Sequence, residues 1–185
     1  RTAAEKLLHA ERGTVLLTTG FYVAGYAETD GPLGTVAVAE ALNQLGFHSV
    51  VVTDKYCKGF FELKQLDVEY VDIAADEQVY EDILDKYNPV YMISIERCGE
   101  NAEHEYANMR GVSITSETAA IDNLFELAPE KHIPTIGVGD GGNEIGMGNV
   151  KDIISEKLEL NPCVVPVDDL IIATTSNWGA YALTA

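Results

Sequence analysis

The stretch Ile133-Pro134-Thr135-Ile136-Gly137-Val138 runs straight into Gly139-Asp140-Gly141-Gly142-Asn143-Glu144, setting a short apolar run against a cluster of glycine, acid and amide. β-Branched residues pack well on a pleated sheet, whereas consecutive glycines free the backbone and let a ligand or another segment come close. The reading is a buried strand that empties into a polar loop. Working outward, comparable strand runs recur at 14–18, 48–53, 68–73, 90–95 and 170–174. Helical stretches lie between them near 34–45, 76–87, 117–127 and 145–158. In the first of these, Val36, Ala37, Ala41, Leu42 and Leu45 share a face at helical spacing, and Gly46 stands where a helix ends. Strands alternating with helices predict an α/β fold: a doubly wound, Rossmann-like, mainly parallel sheet with helices on both faces.

The chain has 185 residues, enough for one domain with a substantial core, and reads as a single domain over 1–185 with a helical lead-in at 1–13. Residues 177–185 look like a helix just begun, so that either the domain ends raggedly or the chain is a piece of a longer one. Charge is the outlying property: 12 Lys and Arg against 30 Asp and Glu give −18. Such a field repels phosphate backbones and anionic headgroups, so nucleic acid and membrane surfaces are not expected partners. Polar residues interrupt every apolar run before it reaches the roughly 18 to 20 residues that span a bilayer. Cys57, Cys98 and Cys163 are widely separated and form no metal spacing, which suits reduced thiols in the cytoplasm. A homo-oligomer is compatible with the composition.

Nearly every unusual cluster follows a strand rather than preceding one. Glu28-Thr29-Asp30-Gly31-Pro32 comes after the first, Glu96-Arg97-Cys98-Gly99 after the fourth, the run 137–149 after the fifth, and Ser176-Asn177-Trp178-Gly179 after the sixth. In an open α/β sheet these carboxyl ends share one edge, where ligands bind. Glu28 and Asp30 lead into a helix, Asp30 as its expected N-cap, and paired acids whose burial differs supply an acid and a base near neutral pH. Gly137–Gly142 fits G-x-G-x-x-G, but Asp140 and Glu144 place negative charge where a pyrophosphate would sit. The alternative use of the glycines is to aim the N–H groups of Gly141 and Gly142 at a small carboxylate, with Asp140, Asn143 and Glu144 beside it. Beyond Arg1 and Arg12 the only arginines are Arg97 and Arg110, both after the fourth strand. Each is a candidate carboxylate anchor, with internal pairing of Arg97 to an acid as the alternative. Ser94 and Ser176 lack the nucleophile-elbow pattern, and Trp178 reads as packing beside the site.

Taken together, the strings around Glu28, Ile95-Glu96-Arg97, Asn108-Met109-Arg110-Gly111, 137–149 and Ser176-Asn177-Trp178-Gly179 resemble the D-glutamate cyclase C-terminal-like family, in order and over almost the whole chain. The resemblance implies reversible dehydration of D-glutamate to 5-oxo-D-proline, a carbon–oxygen lyase reaction, placed in the mitochondrial matrix in animal members. Cyclisation needs a base for the amine, an acid for the departing oxygen and a pocket for anions. Glu28, Asp30, Asp140 and Glu144 are the expected catalytic set, and Arg97, Arg110, Gly141, Gly142, Asn143, Ser176 and Asn177 the expected substrate-binding set. No cofactor is certain from the sequence, while clustered carboxylates and Asn oxygens suit a divalent cation, Mg²⁺ or Mn²⁺. The competing readings are a metal-dependent hydrolase or other enzyme of a small carboxylic acid, and a non-catalytic amino-acid or nucleotide-binding module.

Overall fold

Alternate residues of the central strands feed two separate cores, and this two-sided burial organises the computed structural model, which describes residues 1–158 and 160–185. The first strand, β1 (Thr14–Thr19), sends Val15 and Leu17 to one face and Leu16 to the other, as a period of two requires. Two short strands, β2 (Tyr22–Val23) and β3 (Tyr26–Ala27), form a hairpin before the chain enters α2 (Pro32–Gln44). Then come β4 (His48–Asp54), β5 (Asp67–Val71), α3 (Gln78–Tyr87) and β6 (Tyr91–Ile95). The last part holds α4 (Asn123–Leu127), β7 (Thr135–Gly139), α5 (Lys151–Leu158), β8 (Asp169–Ile172) and α6 (Ser176–Thr184). The lead-in is α1 (Thr2–His9), whose Ala3 and Leu7 join the core.

The six-stranded sheet is parallel throughout, in the order β5-β4-β1-β6-β7-β8. Counted along the chain, its strands stand third, second, first, fourth, fifth, sixth, the order of a doubly wound Rossmann-like fold. One face is covered by apolar residues of α1, α2 and α6 and the other by those of α3, α4 and α5. The order reverses between β1 and β6, so their carboxyl ends diverge there and leave a crevice.

Several boundaries differ from the sequence reading. The helix expected over 117–127 shrinks to α4, because 115–117 form a single 3₁₀ turn and Ala119 and Ile121 are drawn into the core as irregular chain. The helix expected over 145–158 starts only at Lys151. Gly146 is left-handed (φ 103°), and Asn149 is engaged on both backbone groups of Val167, accepting from its N–H at 2.9 Å and donating to its carbonyl at 2.8 Å. No described helix is long and apolar enough to cross a membrane.

Candidate active site

Helices α2 and α6 begin side by side, each capped by a residue from the other's entrance. Asp30 is not the N-cap of α2, as the sequence suggested. Gly31 holds that position with φ 94°, and Asp30 turns its carboxylate to the start of α6, accepting from Ser176 N–H (3.0 Å) and Asn177 N–H (2.7 Å). Asn177 returns the arrangement: its Oδ1 accepts from Gly31 N–H (3.1 Å) and Gly34 N–H (2.7 Å), and its Nδ2 donates to the Thr29 carbonyl (2.9 Å). Free helical N–H groups that would otherwise be unpaired are satisfied on both sides. Gly34 permits the approach, since a Cβ there would stand 2.7 Å from Ala180 Cβ.

Glu96 is the centre that the sequence reading passed over. It follows β6 immediately, adopts a left-handed φ of 51° and is 5% exposed. Ser176 Oγ donates to its Oε2, so the expected substrate-binding serine instead holds a buried acid. Burial, with the charges of Glu144, Asp140 and Glu28, pushes the Glu96 carboxyl up to about 10. Asp140 lies in the same group on the glycine-rich turn, raised to about 7 by burial and by the charges of Glu144 and Asp30. Glu28 is likewise raised, by burial and then by Asp30 and Glu144. Oxygens of Asp30, Glu96 and Asp140 all lie within 4.8 Å of one another. So many acids cannot all ionise together without a countercharge, and Glu96, the most buried of these three, keeps its proton.

A cleft of about 610 Å³ opens onto these groups. Glu28, Asp30, Glu96, Asp140 and Asn143 line it, as does Arg110, its one basic residue among those described. The Arg110 loop is a tight turn in which Asn108 Oδ1 accepts from Arg110 N–H (2.9 Å) and Val112 N–H (3.1 Å). Asn143 fastens that wall by donating to the Ala107 carbonyl (2.8 Å).

Further expectations for the residues of this region are corrected. Arg97 cannot anchor a substrate: it is 1% exposed and paired with Asp54 at 2.6 Å, and it donates to the carbonyls of Gly20 (3.0 Å) and Ala119 (2.7 Å). Internal pairing, the alternative for this arginine, is what the fold uses. Glu144 is buried, and its carboxylate accepts from Gly141 N–H (2.7 Å) and Gly142 N–H (2.6 Å). Those two amides therefore receive an anion from the chain's own next turn and are closed to a substrate carboxylate or a phosphate. Trp178 is 65% exposed rather than packed. The signal that could have found Glu96 was an acid placed directly after an otherwise apolar strand, beside an arginine that took the attention.

This is a doubly wound α/β fold carrying an acidic cleft at the carboxyl ends of its central strands. The chain belongs to the D-glutamate cyclase-like, C-terminal family, whose model matches residues 1–185. It is 34% identical to human mitochondrial D-glutamate cyclase over 98% of its own length and 33% of the human protein's, so it spans about a third of that relative. Among solved structures, UDP-glucose 4-epimerase from Brucella ovis in complex with NAD matches 80% of this chain and 49% of its own, with 14% identity and a TM-score of 0.47. The Bordetella bronchiseptica enzyme WbmG in complex with NAD matches 95% and 50%, with 12% identity and a TM-score of 0.47.

Proposed function

We propose that this cleft interconverts D-glutamate and 5-oxo-D-proline with loss or gain of water. The observation that carries the reading is the grouping of Asp30, Glu96 and Asp140 within 4.8 Å, with proton affinities set apart at Glu96 and Asp140. The name of the human relative, D-glutamate cyclase, supports it.

In this reading Arg110 and Asn143 receive the α-carboxylate, which folds glutamate back on itself. Asp140, ionised above about pH 7, takes a proton from the α-ammonium so that the amine can attack the γ-carboxyl carbon. Glu96, protonated across the neutral range, gives its proton to the departing oxygen and regains one from the ring nitrogen, while Asp140 returns its own proton to the same oxygen, which leaves as water. Ser176 orients Glu96, and Asp30 is held by the α6 amides. Bringing amine and carbonyl carbon together can lower such a barrier by roughly 7 to 11 kcal/mol at the limit. The three cysteines are free and buried, which suits a reducing compartment such as the cytoplasm or the mitochondrial matrix.

The test is to incubate the protein with D-glutamate and, separately, with 5-oxo-D-proline, and to resolve the products by chiral chromatography. Product above a heat-killed control, lost in Asp140→Asn and Glu96→Gln, is expected. No product in either direction would overturn the reading, and binding without turnover would favour an amino-acid sensor.

The spacing of the three carboxyls favours a second reading in which a divalent cation takes part. An all-carboxylate donor set matches a hard ion such as Mg²⁺ or Mn²⁺ and not the nitrogen and sulfur preference of zinc. Asp30, Glu96 and Asp140 would hold it, Glu96 surrendering its proton, and when bound it would supply Lewis-acid polarisation of the γ-carboxyl. Turnover lost on exhaustive chelation and regained with Mn²⁺ is the expected result; an unchanged rate removes the cation.

A further inference from the structure

The cleft is larger than its proposed substrate. A volume of about 610 Å³ lies in the range that holds drug-sized ligands, roughly 300 to 1,000 Å³, and a five-carbon amino acid fills a fraction of it. Its lining is also of two kinds. Beside the carboxyls stands an apolar wall: Phe21 and Ile114 belong to a small cluster with Cys98 and Tyr106, Tyr22 packs on it, and Val23 and Val112 reach the lining half-exposed. Free glutamate, polar at both ends, has no use for that wall.

Charge narrows what does. Glu117 joins Glu28, Asp30, Glu96 and Asp140 in the lining against Arg110 alone among the described residues, on a chain of net charge −18. A further anionic group beyond the γ-carbon of the ligand would be repelled, and an alkyl chain there, neutral or ending in an ammonium, would be accepted.

We infer that the cleft also takes γ-amides of D-glutamate whose amide nitrogen carries an alkyl chain, and cyclises them to 5-oxo-D-proline with release of the amine. This deepens the function proposed above and rests on it. Asp140 takes the ammonium proton, and the α-amine lone pair then attacks the γ-carbonyl carbon and forms the ring C–N bond. The exocyclic C–N bond then breaks. Its electron pair leaves with the amine nitrogen, which takes the proton of Glu96; Glu96 regains one from the ring nitrogen, and Asp140 passes its own to the released amine. Substrate equals 5-oxoproline plus amine in atoms and charge, and no water, oxidant or cofactor enters. The alkyl chain lies along Phe21, Tyr22 and Val112, where the free amino acid makes no contact.

The experiment compares four compounds on the intact protein: D-glutamate, its γ-butylamide, its γ-(4-aminobutyl)amide and its γ-(3-carboxypropyl)amide. 5-Oxo-D-proline is read by chiral chromatography and released amine by fluorogenic labelling. Butyl and aminobutyl amides should yield the two products in equal amounts, and the carboxypropyl amide should fall at least about tenfold lower in kcat/KM. Val112→Trp, at a half-exposed loop position, should cut kcat/KM for the alkyl amides about tenfold while leaving D-glutamate unchanged. Turnover of D-glutamate with all amides inert overturns the inference and leaves the proposed function standing. Inertness of all four overturns both. Equal turnover of the carboxypropyl amide, or a Val112→Trp effect no greater on amides than on D-glutamate, overturns the assignment of the wall.

Discussion

Replacing Arg97 with methionine separates a structural arginine from a substrate anchor. The guanidinium pins the end of β4 through Asp54, the turn after β1 through the Gly20 carbonyl, and the approach to α4 through the Ala119 carbonyl. Its removal leaves Asp54, 3% exposed, as a buried carboxylate without its cation. Breaking one partner of a buried pair costs about 3–5 kcal/mol, a large share of the roughly 5–15 kcal/mol by which a domain is stable. At about 2–4 °C per kcal/mol for a chain of this size, melting should fall by roughly 6–20 °C. The double variant Arg97→Met with Asp54→Asn holds no buried charge there and keeps an acceptor for Tyr56 N–H, so it should recover most of the loss. Calorimetric melting and urea titration followed by circular dichroism measure stability, and titration calorimetry with D-glutamate on the folded double variant measures binding. Unchanged melting of Arg97→Met with tenfold weaker D-glutamate binding would refute the reasoning and return Arg97 to the substrate.

Three further outcomes follow from the site. The rate should rise as Asp140 ionises near pH 7 and fall as Glu96 loses its proton towards pH 10, giving a bell in kcat/KM; a flat profile between pH 6 and 10 would exclude these two groups as the proton carriers. Because burial lifts Glu96 from its ordinary value near 4.5, the folded protein holds the extra proton between the two values, and stability declines as pH rises through that window. Glu96→Gln should flatten the decline, abolish turnover and melt above the parent at pH 9, as a thermal series across pH would show. Gly31→Ala meets Glu96 Cβ and Thr19 Oγ1 at 2.7 Å and the Ile95 carbonyl at 2.9 Å, on a φ of 94°. Strain and overpacking together should cost roughly 2–5 kcal/mol in urea denaturation, and wild-type stability would contradict the close packing of α2 against β6.

Sheet and strand assignments were legible because burial on two faces writes itself locally: Leu16 and Leu17 need no distant partner to be recognised as strand. The convergence of post-strand loops was legible for the same reason, since parallel strands put their carboxyl ends on one edge. What could not be read was pairing. Asp30 has the spacing of an N-cap, and only the arrival of α6 turns its carboxylate elsewhere. Arg97 and Arg110 are equivalent as letters, yet one meets Asp54, forty-three positions away in sequence, and the other meets an open cleft. Glu144 resembles a catalytic acid until the amides of its own turn close on it. The short helices α4 and α5 failed for a related reason: Asp122 is drawn off by Tyr106 and Glu100, and Asn149 by Val167.

The reciprocal caps between Asp30 and Asn177 tie together segments 147 positions apart in sequence. During synthesis, the carboxyls of Asp30 and Glu96 emerge before the serine that orients Glu96 and the amides that grip Asp30. A nascent chain halted after β8 would possess all six strands of the sheet and lack the groups that hold Asp30 and Glu96. Both carboxyls are thus fixed together once α6 docks, and that helix acts as the keystone of the arch.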